Sequence, residues 1–248
     1  MIKIRGLKKR LGSKQVLDGV DLDVESGETI VVMGRSGTGK SVLLKHVIGL
    51  MEPDAGDIEV DGESLVGMRE RDLNRVRKRF GLLFQGAALF DSMTVGENVG
   101  LPLREHTDLG DAEIRRRVTE RLEWVGLSGV EDMKPASLSG GMKKRVGLAR
   151  AIAMDPAFVL YDEPTTGLDP IMADVIDQLI RALQKRLGVT SIVVTHDMTS
   201  AYKVGNRLAM LNDGKVVFTG TPDEARNTGN AMVKQFLAGS SEGPIQAL

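Results

Sequence analysis

An eight-residue segment in the first fifth of the chain has the spacing of a phosphate-binding loop. It reads G-R-S-G-T-G-K-S and fits G-x-x-x-x-G-K-[ST] at every position. Its residues are Gly34, Arg35, Ser36, Gly37, Thr38, Gly39, Lys40 and Ser41. Glycines let successive backbone N–H groups turn inward around a phosphate, and a following helix directs its positive end at the same point. We expect Lys40 to reach the β- and γ-phosphates of a nucleoside triphosphate, and Ser41 to bind Mg²⁺.

The residues on both sides of this loop indicate whether it binds a phosphate or is only a turn that connects two elements. Thr29–Met33 is an apolar, β-branched run of strand length, and Ser41–Leu50 has the apolar spacing of a helix. A glycine-rich turn alone is weak evidence for a ligand, but a strand–loop–helix context is what the motif requires. The segment therefore predicts a nucleoside triphosphatase of the P-loop class, without indicating what hydrolysis drives.

Two adjacent carboxylates follow a second apolar run. Phe158–Tyr161 has the composition of a buried strand and ends in Asp162 and Glu163. Ligands of such sheets bind at the carboxyl ends of strands, so both acids are expected near the ligand. We predict that Asp162 holds Mg²⁺, directly or through water, and that Glu163 polarises the attacking water as a general base. Acids before Pro164 also suit a helix N-terminus, but together with the phosphate loop the catalytic interpretation is favoured.

The elements that must hold these residues alternate between short strands and longer helices. This order predicts an α/β fold whose core sheet is mostly parallel, with Ser191–Val194 as another buried strand. A hairpin is predicted where Asn212-Asp213-Gly214 separates two apolar runs. Residues 86–137 are helical by pattern, so we expect a helical subdomain inserted between strands. Residues 239–248 are expected to form an extended tail.

Bulk composition restricts the environment and the partners. The chain has 33 basic and 34 acidic residues and a net charge of −1, without the basic excess of nucleic-acid-binding domains. Cysteine is absent from the sequence, so disulfide bonds and thiolate metal sites are excluded. The first residues lack the apolar core of a signal peptide, and no apolar run approaches the roughly 20 residues of a membrane-spanning helix. We expect any link to a membrane to come through a partner.

A second glycine-rich segment carries the first resemblance to a known family. Leu138-Ser139-Gly140-Gly141-Met142 precedes a predicted helix and resembles the LSGGQ signature of ABC ATPases. Free N–H groups at a helix N-terminus, with the Ser139 hydroxyl, suit an anion. The resemblance implies that two copies pair head to tail, so that Ser139, Gly140 and Gly141 close over the γ-phosphate held by the opposite copy. Met142 replaces the usual glutamine, a departure that leaves the expected anion contacts in place.

The other marks of ABC ATPases follow in the order that the family has. Gln85 matches the Q-loop glutamine, which implies contacts with Mg²⁺ and with a membrane partner. Asp169, in a T-G-L-D segment, matches the D-loop at the dimer interface. His196 matches the switch histidine, which contacts the γ-phosphate and orients the water. The resemblance thus implies ATP and Mg²⁺ as cofactors, with Lys40, Gln85, Glu163 and His196 in catalysis.

The same resemblance implies an arrangement of domains. An ABC ATPase domain of the P-loop NTPase fold is expected over residues 1–238. It would combine the mostly parallel core sheet with an N-terminal antiparallel β lobe and the helical subdomain at about residues 86–137. One position departs from the pattern, because Leu11 stands where an aromatic ring usually stacks on adenine. We expect apolar contact from Leu11, or the guanidinium plane of Arg10, to take that role.

Two further segments are similar to the ATPases of MCE-type lipid transporters, a group that includes the bacterial Mla phospholipid system. They are Phe84–Val95 and Pro102–Thr107. The resemblance implies a homodimer that binds a membrane permease at the cytoplasmic face of the bacterial inner membrane. It also implies an MCE-domain protein in the same complex and no nucleic acid. Leu89, Phe90 and Met93 are expected to offer an apolar groove to a permease helix. The tail resembles that of the group, and we expect it to contact the second copy.

Two other functions stay open on the sequence. The first is another ABC importer, such as an amino-acid importer, because no chemical requirement links the segments similar to lipid transporters to lipid transport itself. A soluble ABC ATPase of DNA repair or translation is the second alternative, but long coiled-coil insertions and a second ATPase half are not seen. A scaffold that binds ATP without hydrolysing it would lack Glu163 or His196, and both are present.

Overall fold

The computed structural model describes residues 1–246, so Ala247 and Leu248, the end of the expected tail, lie outside the described residues. The strands of the described residues are β1 (Ile2–Leu11), β2 (Lys14–Val24), β3 (Thr29–Met33), β4 (Ala55–Val60), β5 (Glu63–Ser64), β6 (Phe80–Leu83), β7 (Phe158–Asp162), β8 (Thr190–Thr195), β9 (Arg207–Asn212) and β10 (Lys215–Gly220). The α-helices are α1 (Lys40–Val47), α2 (Glu70–Arg77), α3 (Val95–His106), α4 (Asp111–Trp124), α5 (Gly140–Ala151), α6 (Pro170–Leu187), α7 (Met198–Val204), α8 (Pro222–Arg226) and α9 (Ala231–Ala238). A short 3₁₀ helix covers Pro135–Ser137.

The chain divides into two compact units. The first unit combines Met1–Arg69 with the chain from Ile192 onward, and the second unit is Glu70–Ser191. Strand β8 therefore begins at the end of the second unit and continues into the first. Within residues 1–246, none of the helices has both the length and the apolar character needed to cross a bilayer.

An antiparallel sheet occupies the N-terminal part of the first unit, with the strand order β2-β1-β4-β5. Ile4 of β1 stands opposite Leu22 on one side and Ile58 on the other. All three side chains are buried, because alternate residues of a strand point to the same face and these share the face that meets the core. The antiparallel β lobe predicted from the family resemblance is confirmed.

The remaining strands of the first unit carry the phosphate loop. β3 runs parallel to β9, with Val31 opposite Leu208, and β9 turns back into β10 through the predicted hairpin. Asp213 and Gly214 both take positive φ, as a two-residue hairpin turn of this kind requires. All five residues of β3 are buried, which explains its uninterrupted apolar and β-branched sequence.

The second unit joins a parallel strand pair to a group of helices. β6 runs parallel to β7, with Leu82 opposite Leu160, so the predicted mostly parallel arrangement is confirmed. α3 begins with a capping box between Thr94 and Glu97 and packs against α4 and α5. α5 also packs on β6, so the helix that follows the signature segment lies directly on the strand that precedes Gln85.

Candidate active site

The phosphate loop leaves the carboxyl end of β3 through glycines that the surroundings require. Gly34 has a φ of 156°, and a Cβ there would lie 2.4 Å from the carbonyl oxygen of Leu211. Gly39 has a φ of 102°, and its Cβ would lie 2.9 Å from the carbonyl oxygen of Val16. Gly37 also has positive φ, but with open space around it. Two of the three glycines are therefore fixed by close backbone packing, and the third lies on the open side of the loop.

Lys40 lies back over this loop. It is 5% exposed, and its Nζ donates to the carbonyl oxygens of Gly34 at 2.8 Å and Arg35 at 3.0 Å. The Thr38 hydroxyl donates to the same Arg35 oxygen at 2.8 Å. The ammonium group is thus held by two carbonyl oxygens of the loop, which a phosphate can replace as acceptors.

The first turn of α1 provides the second part of an anion site. The helix begins at Lys40 after Gly39, and Ser41 is its second residue, half-buried. Among the described residues, no side chain caps this N-terminus and its first turn carries no acid. The first backbone N–H groups of a helix carry its positive dipole end, which favours a phosphate. α1 ends at Val47, earlier than the predicted Leu50, because Gly49 takes a positive φ and stops the helix.

A cavity of about 430 Å³ lies on the open side of the loop, within the first unit. Arg35 and Ser36 line it together with His196, which is exposed directly after β8. Three of the residues predicted for nucleotide binding and catalysis therefore face one space. The next residue, Asp197, caps α7 by accepting from the backbone N–H groups of its first turn, which fixes the backbone beside His196.

The C-terminal segment forms the other wall of this cavity. The Gln235 side chain of α9 accepts from the backbone N–H of Ile245 at 2.7 Å and donates to its carbonyl oxygen at 2.8 Å. Ile245 is buried, and Arg35 donates to the carbonyl oxygen of Gln246 at 2.6 Å. Residues 240–246 thus fold back beside the phosphate loop through bends that Gln235 holds in place.

The position expected to meet adenine lies at the end of β1. Leu11 is 43% exposed and pairs with Lys14 across the first hairpin. The backbone N–H of Arg10 donates to the Asp54 carboxylate at 2.6 Å. The Arg10 side-chain Nε donates to Oε1 of Gln15 at 3.4 Å. Leu11 therefore presents apolar surface, while the Arg10 guanidinium is engaged by a neighbouring side chain.

The two acids of the second unit differ in their surroundings. Asp162 is the half-buried last residue of β7, whereas Glu163 is 8% exposed and has a φ of 49°. A side chain other than glycine is uncommon in this left-handed region and carries strain. The Thr166 hydroxyl donates to Oε2 of Glu163 at 3.2 Å, and its backbone N–H donates to the Glu163 carbonyl oxygen at 3.3 Å. The strained turn therefore fixes the direction of the Glu163 carboxylate.

A pair of basic residues on α5 holds the backbone around Gln85, and the sequence analysis missed both. The Lys144 ammonium donates to the carbonyl oxygens of Gln85 and Glu163. Arg150 donates to the carbonyl oxygens of Ala87 at 2.6 Å and Ala88 at 2.7 Å. Burial lowers the pKa of Lys144, a shift that the carboxylates of Asp162 and Glu163 oppose. The sequence gives no signal for this pair, because α5 carries four basic residues and the acceptors are backbone oxygens, which every residue type has.

The signature segment begins α5 as expected of an anion site. Ser139 is exposed, and its Oγ accepts from the backbone N–H of Met142 at 3.2 Å. A Cβ on Gly141 would lie 2.6 Å from Cε of Met172, so a larger residue there would require the end of the Met172 side chain on α6 to move. Gly140 is exposed beside Ser139. Asp169 caps α6, accepting from the backbone N–H groups of its first turn.

The three residues predicted to bind Mg²⁺ have the donor atoms that this ion prefers. They offer the hydroxyl of Ser41, the side-chain amide of the exposed Gln85 and the carboxylate of Asp162. Mg²⁺ favours oxygen ligands and is usually held by one or two carboxylates together with water and substrate phosphates. Within residues 1–246 there is no group of three or more His, Cys, Asp or Glu that could hold a metal. Each of the three residues therefore offers an oxygen donor that is chemically suited to Mg²⁺.

Comparisons with known proteins point to one family. Residues 17–166 match the family model described as ABC transporter. The chain is 41% identical over 246 residues to the intermembrane phospholipid transport system ATP-binding protein MlaF of Haemophilus influenzae, which covers 99% of this chain and 93% of that protein. It is 42% identical over 244 residues to the probable ribonucleotide transport ATP-binding protein mkl of Mycobacterium leprae, which covers 98% of this chain and 70% of that protein.

A solved structure agrees with the architecture. The dimeric post-hydrolysis state of the ATP-binding cassette MJ0796, bound to ADP and Pi, has a TM-score of 0.82 to this chain at 34% identity, covering 89% of this chain and 98% of that one. With the family match and the near full-length relatives, this identifies the chain as a member of the ABC transporter family, an ABC ATPase.

Proposed function

We propose that this chain is the ATP-hydrolysing motor subunit of an ABC transporter for phospholipids or related lipids, working as a homodimer. The observation that carries the proposal is the likeness to the phospholipid transport protein MlaF, which extends over 99% of this chain and 93% of that protein. Likeness over such a length includes the segments outside the nucleotide motifs, where transporter types differ. The relative mkl is named for ribonucleotide transport, so the transported compound is the point that most needs a test.

The catalytic part of the proposal assigns a role to each predicted residue. Lys40 exchanges its two loop carbonyls for the β- and γ-phosphates, which the N–H groups of α1 also bind. Glu163 takes a proton from the attacking water, and His196 orients that water against the γ-phosphate. Bound Mg²⁺ would neutralise charge that develops on the phosphate oxygens, and Ser41, Gln85 and Asp162 are the residues to hold it.

The pairing part of the proposal follows from the signature segment. Ser139 and Gly140 are exposed at the N-terminus of α5, with backbone N–H groups available to an anion. We assign them to the γ-phosphate of ATP held by a second copy, with Asp169 close to that interface. The dimeric MJ0796 cassette, bound to ADP and Pi, supports such pairing. ATP then acts as a ligand that favours the closed pair, and hydrolysis lets the pair open.

The membrane part of the proposal rests on a groove in the second unit. A cavity of about 450 Å³ is lined by Phe84 and Phe90, by Leu101 and Pro102 of α3, and by Arg150 of α5. Phe84 and Phe90 are both exposed large apolar side chains. An apolar groove that also has a charged residue in its lining suits an amphipathic helix. We assign it to a cytoplasmic helix of a permease, and Phe90 is the member of the predicted trio that lines it.

Phe90→Asp is expected to prevent assembly with the permease while leaving ATP binding unchanged. The substitution places a charge in a groove that an apolar helix face must fill, which makes desolvation of the interface unfavourable. The measurement is co-purification of the tagged chain with its membrane partner, and nucleotide affinity in the same preparation. Leu50→Asp is the matched control, since Leu50 is 54% exposed and Phe90 is 50% exposed. Equal co-purification of both variants with the permease would contradict the assignment of the groove.

The transported compound is tested on the intact membrane complex. We expect mass spectrometry of the purified complex to find a phospholipid bound in excess over the lipids of a mock purification. A bound ribonucleotide beyond ATP and ADP, or an amino acid, in place of lipid would overturn the lipid proposal. The proposal also includes an MCE-domain protein in the complex, whose presence is tested in the same sample. It places this chain, through the permease, at the cytoplasmic face of the bacterial inner membrane.

A further inference from the structure

Helix α5 holds two backbone segments that are both in strained conformations. Ala87 and Ala88 have φ values of 61° and 48°, and Arg150 donates to both of their carbonyl oxygens. Glu163 has a φ of 49°, and Lys144 donates to its carbonyl oxygen at 3.1 Å. Left-handed residues other than glycine persist only where surrounding contacts determine them. α5 supplies such contacts to the segment after Gln85 and to the proposed general base.

Lys144 is the residue that joins the two segments. It is buried at 5% exposure, and its ammonium bonds at once to the carbonyl oxygens of Gln85 and Glu163. A buried ammonium group without partners is unfavourable, so each of these bonds is maintained strongly. A shift of the Gln85 backbone therefore changes what holds the Glu163 peptide. Because the carboxylate extends from the same strained residue, the direction of that peptide sets where the carboxylate lies.

We propose that Lys144 is a positioning residue that ties the backbone of Gln85 to that of Glu163 and so keeps the Glu163 carboxylate aligned for hydrolysis. The inference rests on the proposed role of Glu163 as general base. Lys144 acts through Glu163 and has no contact of its own with the reacting groups in this proposal. Its removal changes the rate of the chemical step, whereas nucleotide binding, which depends on Lys40 and α1, is retained.

Lys144→Met tests this with little change in side-chain volume. We expect kcat for ATP hydrolysis by the full-length chain to fall by about 10- to 100-fold, because a displacement of about 1 Å in a catalytic group has effects of that size. The KM for ATP should stay within about twofold, since Lys144 lies outside the expected nucleotide contacts. Lys144→Arg keeps donors and charge and should restore most of the rate. Lys143→Met, which makes the same change one residue earlier on α5, is the matched control.

A double-mutant comparison separates positioning from a general loss of structure. If Lys144 acts through Glu163, Lys144→Met added to Glu163→Gln should leave the residual rate of Glu163→Gln unchanged in single-turnover measurements. A further drop by the same factor as in the wild-type background would overturn the proposal, as would a kcat equal to that of Lys143→Met. Should Lys144→Met fail to fold, Lys144→Gln keeps a polar group between the carbonyls and is measured against the same two outcomes.

The same set of variants distinguishes this inference from the proposed function. A normal rate for Glu163→Gln alone would remove the general base and, with it, the basis of both ideas. A slow Glu163→Gln together with a normal Lys144→Met would remove only the positioning role. Thermal unfolding of each variant is recorded alongside, so that a fall in kcat is compared at equal folded fraction.

Discussion

Glu163→Gln is expected to lower ATP turnover by about 10²- to 10⁴-fold, the range that a general base contributes. Glutamine has nearly the same shape as glutamate, but its amide cannot take a proton from water. The backbone conformation at φ 49° and the contact with Thr166 can both be kept, since the amide oxygen still accepts a hydrogen bond. ATP binding should therefore be unchanged, and the variant should accumulate in the ATP-bound, paired form.

Phosphate release with ATP in excess measures the turnover, and equilibrium binding of ATP measures the affinity. Glu123→Gln makes the same chemical change at an exposed position of α4 in the same unit and serves as control. The general-base assignment fails if Glu163→Gln retains more than about a tenth of the wild-type rate, because that loss is too small for the group that activates water.

The strands and the phosphate loop were predictable because their signals are local. The buried run before Gly34 reads as a strand from its composition alone, and the glycine spacing after it allows few other structures. Helix α4 lies within the residues 86–137 that were predicted to be helical, since its apolar positions follow a helical period. The hairpin after β9 was equally evident from Asp213 and Gly214.

The contacts of Lys144 could not be predicted, because they join residues far apart in sequence through backbone oxygens. Lys144 lies 59 residues from Gln85 and 19 from Glu163, and a carbonyl acceptor leaves no mark in the sequence of its residue. The left-handed backbone conformation of Glu163 could not be predicted either, because the residue is not a glycine, the type that usually indicates a positive φ. Such features depend on tertiary packing and become visible only with the fold.

The C-terminal segment shows the same limit. Its glycines and serines suggest a chain end without fixed structure, yet Gln235 bonds to both backbone groups of Ile245, and Ile245 is buried. The Gln235 side chain on α9 holds this fold of the segment, and a hydrogen bond of that kind leaves no periodic pattern in the sequence. The contact of this segment with a second copy, expected from the family resemblance, stays a prediction, and within its own chain the segment accepts a hydrogen bond from Arg35.

The central claim is that each ATP site is completed only by two copies of the chain. Lys40→Ala removes the phosphate contact of one half-site. Ser139→Glu places a carboxylate where the other half must bind phosphate, while an acid at a helix N-terminus still suits α5. Both are made in the Glu163→Gln background, so that ATP is held without hydrolysis, and a purification tag gives the two chains different masses.

Native mass spectrometry with and without ATP then counts the pairs. In a mixed pair, one site joins the intact phosphate loop of the Ser139→Glu chain to the intact signature segment of the Lys40→Ala chain. Neither variant can form such an intact site when it pairs with itself. We predict that neither variant pairs alone and that mixing them with ATP yields pairs containing one chain of each kind. ATP-dependent pairing of either variant by itself, or no mixed pairs where the Glu163→Gln chain pairs readily, would contradict the shared site.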